Sequence, residues 1–146
     1  MSGAAPPELV LLRHEQVSGG PPALRPAAGR AACDVVAIVG DGLADGRVEL
    51  AVHEVLANAL EHGHLGAADV AIELTVHRVG DRAIVAVADH ALGADVPRVG
   101  AVDDDPWAVR GRGLALVRAS ADEVVVEAQD DPPGTLVRLT WERRPI

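Results

Sequence analysis

Residues 70–88 read VAIELTVHRVGDRAIVAVA, and this stretch decides the fold. Val70, Ile72, Leu74 and Val76 alternate with Ala71, Glu73, Thr75 and His77. A period of two puts the two sets on opposite faces of a strand, with the apolar set turned to a core. Gly80 and Asp81 then supply a short turn, and residues 82–88 return as a second, antiparallel strand. A hairpin with one apolar face needs a second layer to cover it.

The flanking segments supply that layer. Residues 8–13 (ELVLLR) form a short strand candidate, followed by the turn-forming Ser18-Gly19-Gly20-Pro21-Pro22. Over residues 23–39, Leu24, Ala27, Ala31, Val35 and Ile38 recur at helical spacing, and residues 40–46 break the pattern. A second helix is predicted over residues 48–62, stopped by Gly63 just past its end. Residues 90–110 contain Gly, Pro and Asp103-Asp104-Asp105 without a period, and a loop of that length is usually functional or mobile. Helix is predicted again over 111–120, strand over 123–127 (EVVVE), a turn over 130–134 and a last strand over 135–141. The order β-α-α-β-β-loop-α-β-β predicts an α+β two-layer sandwich with its helices on one face of the sheet. We place one domain over residues 8–142, with tails at 1–7 and 143–146.

Composition narrows the chemistry. The chain has 146 residues, 49% of them hydrophobic, with no Phe or Tyr and only two Trp. Its core must therefore come from Val, Leu, Ile and Ala. With a net charge of −9 and no aromatic stacking platform, direct nucleic-acid binding is not expected. All 13 basic residues are Arg, so neither a P-loop lysine nor a Schiff-base lysine is available. The single Cys33 excludes an internal disulfide and a multi-thiolate metal site, and it is expected to be buried as a small apolar residue. Residues 1–7 lack the pattern of a secretory signal, and no run approaches the roughly 18 apolar residues of a membrane helix. A soluble, cytoplasmic protein with no membrane partner is expected.

The predicted helix 48–62 carries the most chemistry. Val48, Val52, Val55, Leu56, Ala59 and Leu60 share one arc, while Glu54, Asn58 and Glu61 lie opposite, with His62 at the edge. An ordinary solvated face would explain the polar set. Asn58, however, is a poor helix former with nothing to gain in mid-helix. A carboxylate and a carboxamide at i and i+4 point at one spot, suited to a hydrated divalent cation and a nucleophile or water.

Asp89 ends an apolar strand with the parity of Val85 and Val87. It is either a cap before the loop or an acceptor for a ligand group such as an exocyclic amine. Gly111-Arg112-Gly113-Leu114 opens a helix, where free amides and the helix dipole form an anion site unless the glycines only make a turn. Thr135 shares a strand face with Val137, Leu139 and Trp141, so its hydroxyl points between sheet and helices. A zinc hydrolase built on His53, Glu54, His62 and His64 is disfavoured, because Ala57 stands where an H-E-x-x-H motif needs its second His.

Taken together, Glu54-x-x-x-Asn58-Ala59-x-x-His62-Gly63, Asp89-x-x-x-Gly93, Gly111-Arg112-Gly113-Leu114-Ala115-Leu116 and Gly134-Thr135 resemble the ATP-binding domain shared by gyrase, histidine kinases and MutL. The likeness is greatest to the stand-alone bacterial anti-sigma-factor serine kinases and extends from about Glu8 to Glu142. It implies a Bergerat-type fold, with a mixed, mainly antiparallel sheet and the nucleotide between sheet and helices. It further implies that Asn58 binds Mg²⁺ and Glu54 is the general base. Asp89 would take the adenine amino group and Gly93 would line the adenine. Gly111, Arg112, Gly113 and Leu114 would hold phosphates, Thr135 would support the Asp89 end, and His62 would join the ATP site.

The implied activity is ATP-dependent phosphorylation of a STAS-type anti-sigma antagonist by a homodimer that also sequesters a sigma factor. The family's first glycine motif has Asp-x-Gly-x-Gly, whereas Ala91 stands at its middle glycine here. That departure favours an alternative, a nucleotide-dependent binding module without phosphotransfer. A detached histidine-kinase domain is disfavoured, since no helix pair carrying a phosphoacceptor His is present in the sequence.

Overall fold

Strands β2 (Ile72–Val79) and β3 (Arg82–Asp89) form the expected hairpin, with Val79 opposite Arg82 and Glu73 opposite Ala88. Gly80 makes the turn at φ 59°, a left-handed conformation that side chains with a Cβ adopt at a cost. The computed structural model describes residues 7–40, 46–60, 72–89, 111–130 and 133–143, without the side chains of 111–114, 128–130 and 133. Around the hairpin lie β1 (Leu9–Val17), α1 (Pro21–Val39), α2 (Arg47–Asn58), α3 (Gly111–Ser120), β4 (Glu123–Asp130) and β5 (Pro133–Glu142).

The five strands form one sheet in the order β1-β2-β3-β5-β4, and all four pairings are antiparallel. Helices α1, α2 and α3 pack on the sheet and on one another. Side-chain parity shows which face they cover. Ile72, Leu74 and Val76 of β2, Ala83, Val85 and Val87 of β3, and Val137, Leu139 and Trp141 of β5 are all buried. Their neighbours Thr75, Ile84, Ala86 and Thr140 face the other side and are only half-buried. The fold is the α+β two-layer sandwich read from the sequence.

Small side chains fill most of the core, but Trp141, fully buried, belongs to it too, beyond the Val, Leu, Ile and Ala expected from composition. Ala27, Ala28, Ala31, Val35 and Val39 of α1 face Val48, Ala51, Val52, Val55 and Leu56 of α2 within a single apolar cluster. Alanines let helix axes approach closely while leaving few voids. Val48, Val52, Val55, Leu56, Ala59 and Leu60 are buried, as their shared arc on the helix predicts.

Several boundaries differ from the sequence reading, the start of α1 at Pro21 among them. Strand β1 continues to Val17, past the expected Arg13, because its polar half stays paired with β2 as far as Val17 opposite Ile72. Its register shifts between Leu11 and Arg13, which turns Arg13, Glu15 and Val17 toward α1. Strands β4 and β5 extend to Asp130 and from Pro133, and those two residues still pair, so the turn is shorter than expected. Helix α2 begins at Arg47 and its α-helical part ends at Asn58, with a π-type turn at Ala59 and Leu60. The expected helix end at His62 and Gly63 lies outside the described residues, as do the 90–110 loop and Val70.

One expectation is overturned. Cys33 is exposed. It sits about 200° round the helix from the buried Ala31, on the face of α1 turned away from the sheet.

Ion pairs tie β1 to α1. Arg13 donates to Asp34 at 2.5 and 3.4 Å, and Arg30 donates to Glu15 at 2.9 and 3.1 Å. The Arg30 hydrogen bond, helped by the charges of Arg30 and Arg13, holds the Glu15 carboxyl below the usual glutamate range against the opposing effect of burial. Asp34 in turn raises the pKa of Arg13.

Candidate functional site

Among the described residues, four polar side chains belong to buried residues: Asn58, Asp89, Ser120 and Thr135. Three of these were singled out from the sequence. A buried polar group needs a partner, and leaving one unsatisfied costs about 1–3 kcal/mol.

Asp89 is the last residue of β3 and Thr135 lies opposite it near the start of β5. Alternation along β3 turns Asp89 to the same side as Val85 and Val87, into the space between sheet and helices. The Thr135 backbone N–H donates to Asp89 Oδ1 at 3.1 Å. That bond holds a carboxylate at the sheet end, 3% exposed, where an apolar strand would otherwise leave it costly.

Asn58 closes α2, the helix that packs over β3. It is 5% exposed, and its carboxamide has no hydrogen-bond partner among the described residues. A solvated polar face is therefore the wrong account of this residue. Glu54 lies one helical turn earlier on the same side and is half-buried. Such an amide oxygen is a ready hard ligand for a cation such as Mg²⁺, and a carboxylate beside it can take a proton.

Gly111 and Gly113 occupy the first turn of α3. Their amides belong to the first four of the helix, which have no partner within it, the arrangement that favours phosphate. The side chains of Arg112 and Leu114, together with His62, His64, Ala91 and Gly93, lie outside the described set. No cluster of three or more His, Cys, Asp or Glu residues occurs among the described residues.

The structure brings Asp89 and Thr135 into direct contact and buries Asn58 under the helix layer. Ser120 was missed by sequence reasoning. Its Oγ donates to the Arg47 carbonyl at 3.1 Å, and its own carbonyl accepts the Trp141 indole N–H at 3.0 Å. Partners 73 and 21 residues away leave no local signal.

The model of the histidine kinase-like ATPase domain matches residues 22–141, which include all of these side chains. The chain belongs to that family. As a histidine kinase-like ATPase domain, it has ATP as its implied ligand. A solved structure of the RsbU and RsbW domains of Rv1364c from Mycobacterium tuberculosis superposes with a TM-score of 0.59 at 22% identity, covering 92% of this chain. The chain spans only 34% of that protein, so the likeness concerns the fold. No curated protein sequence matches this chain. Among its described residues, no helix is long and apolar enough to cross a membrane.

Proposed function

We propose that this ATPase domain is an anti-sigma regulatory serine kinase, which uses Mg-ATP to phosphorylate a STAS-type anti-sigma antagonist and sequesters a sigma factor when the antagonist is absent. The observation that carries this reading is Asn58, buried one helical turn from Glu54 without a hydrogen-bond partner among the described residues. That arrangement fits a site completed by a ligand and is hard to account for as packing.

Each residue then has one task. Asp89, held by the Thr135 amide, accepts a hydrogen bond from the adenine amino group. The first-turn amides of α3 at Gly111 and Gly113 hold phosphates, with Arg112 and Leu114 beside them and His62 at the rim. Gly93 lines the adenine. Asn58 offers its amide oxygen to Mg²⁺. When bound, that ion neutralises charge on the phosphates. Glu54 accepts the proton of the attacking serine hydroxyl as the serine oxygen bonds to the γ-phosphorus and ADP leaves.

The partners in this reading are a sigma factor, the antagonist and a second copy of the chain in a homodimer, all in the cytoplasm. The RsbW domain named in the superposed structure supports it at the level of fold. Ala91, in place of a motif glycine, favours the second reading, a nucleotide-dependent binding module of the same fold. Incubation with γ-labelled ATP and a serine-bearing antagonist decides between them. Label on the antagonist supports the kinase. Calorimetric ATP binding without transfer leaves the binding module.

A further inference from the structure

Helix α3 packs against α2 and β4, and the side chains described in it bury little. Of its described side chains only Val117 and Ser120 are buried, while Ala115, Leu116, Arg118 and Ala119 are exposed. Among these described side chains Val117 is the one apolar group turned inward, and apolar burial there gives little hold on the direction of the helix. The polar bonds at its C-terminal end are correspondingly dense.

Ser120 Oγ–H reaches across to the Arg47 carbonyl in the first turn of α2, and the Ser120 carbonyl accepts the N–H of the fully buried Trp141 on β5. Just beyond, the Asp122 amide donates to the Thr140 carbonyl at 2.8 Å, and the Glu142 amide donates to Asp122 Oδ2 at 2.7 Å. One end of α3 is thus bonded to α2 and to the sheet. The other end carries Gly111 and Gly113.

We propose that Ser120 and Trp141 are positioning residues, which fix the direction of α3 and so set how tightly its glycine turn holds the nucleotide phosphates. The inference rests on the nucleotide reading above. A helix of this length spans about 15 Å, so a tilt of about 4° at the Ser120 end moves the glycine turn by about 1 Å. Anion binding by fixed amides is sensitive to displacements of that size. Adenine, held at the Asp89 and Thr135 end of the sheet, is not on this lever.

The test compares Ser120→Ala and Trp141→Phe with the unaltered full chain, titrated with ATP and with adenosine. Each variant is expected to weaken ATP by roughly 3- to 10-fold, the equivalent of one neutral hydrogen bond, and to leave adenosine within about twofold. Partial unfolding lowers both affinities by the same factor, so the ratio of the two isolates positioning from stability. An equal loss for both ligands, or no loss for ATP, overturns the proposal. Hydrogen exchange of Ser120→Ala supplies a readout that needs no ligand. Faster exchange of the α3 amides than of the β3 amides supports the anchoring role, and an unchanged α3 overturns it. If the unaltered chain binds neither ligand, the nucleotide reading fails, and exchange still decides whether Ser120 anchors the helix.

Discussion

Thr135 donates its backbone N–H to Asp89 Oδ1 at 3.1 Å, across the register pair that joins the end of β3 to the start of β5. A strand amide thus orients a carboxylate at the sheet end. The bond makes Asp89 a fixed acceptor, and pre-oriented acceptors lose little entropy when a donor arrives.

Removing that acceptor weakens the nucleotide. A charged hydrogen bond contributes about 1.5–3 kcal/mol, so Asp89→Ala and Asp89→Asn are expected to lower ATP affinity roughly tenfold to more than a hundredfold. Circular dichroism on both variants should show a retained fold. Wild-type affinity in a folded variant would remove Asp89 from the site.

Asn58 and Glu54 should fail in different ways. Asn58→Ala deletes the buried amide oxygen and is expected to abolish most of the Mg²⁺-dependence of ATP binding, read by calorimetry with and without the metal. Glu54→Gln keeps the shape and removes the base, so it should bind ATP nearly normally while transfer to the antagonist falls by roughly 10²- to 10⁴-fold. Transfer at the wild-type rate by Glu54→Gln would show the base assignment to be wrong.

The Glu15 carboxyl makes the β1–α1 tie sensitive to acid. Its folded pKa is depressed, chiefly by the Arg30 hydrogen bond, so its contribution is complete above the unfolded value of about 4.3 and is lost as pH falls through the folded value. Urea midpoints measured from neutral pH into the acid range should therefore fall below about pH 4.3. Glu15→Gln should lower the neutral midpoint and flatten that part of the curve. An unchanged slope would assign the acid sensitivity to other carboxylates.

Gly80 tests the hairpin independently of the site. Its φ of 59° is strained for alanine, and a Cβ there would meet Pro7 only at an ordinary 3.6 Å, so the backbone alone supplies the penalty. Gly80→Ala should destabilise the fold by about 1 kcal/mol, and Gly80→Asn by less. ATP affinity should not change, because Gly80 and Asp89 sit at opposite ends of β3. Equal stability for Gly80→Ala would show that the turn relaxes to another conformation.

The sequence by itself determined the layers and picked out three of the four buried polar residues among those described. Alternation along residues 72–89 and helical spacing in α1 and α2 are local periodicities, and each maps directly onto one buried face. Asp89 and Thr135 were legible for the same reason, each being a polar residue on the inward parity of its strand, whereas Asn58 stood opposite the apolar arc and was legible as a poor helix former in mid-helix. Tertiary structure alone decided that the Thr135 amide serves Asp89, that Asn58 has no hydrogen-bond partner among the described residues, and that Cys33 lies on the outer face of its helix. It also decided the anchoring of α3, through Ser120 with Arg47 and Trp141, and the length of β1, whose polar half is held by β2 and by ion pairs to α1. These features depend on which distant groups are brought within about 3 Å of one another, and hydrogen-bond partners so far apart along the chain leave no periodic mark in it.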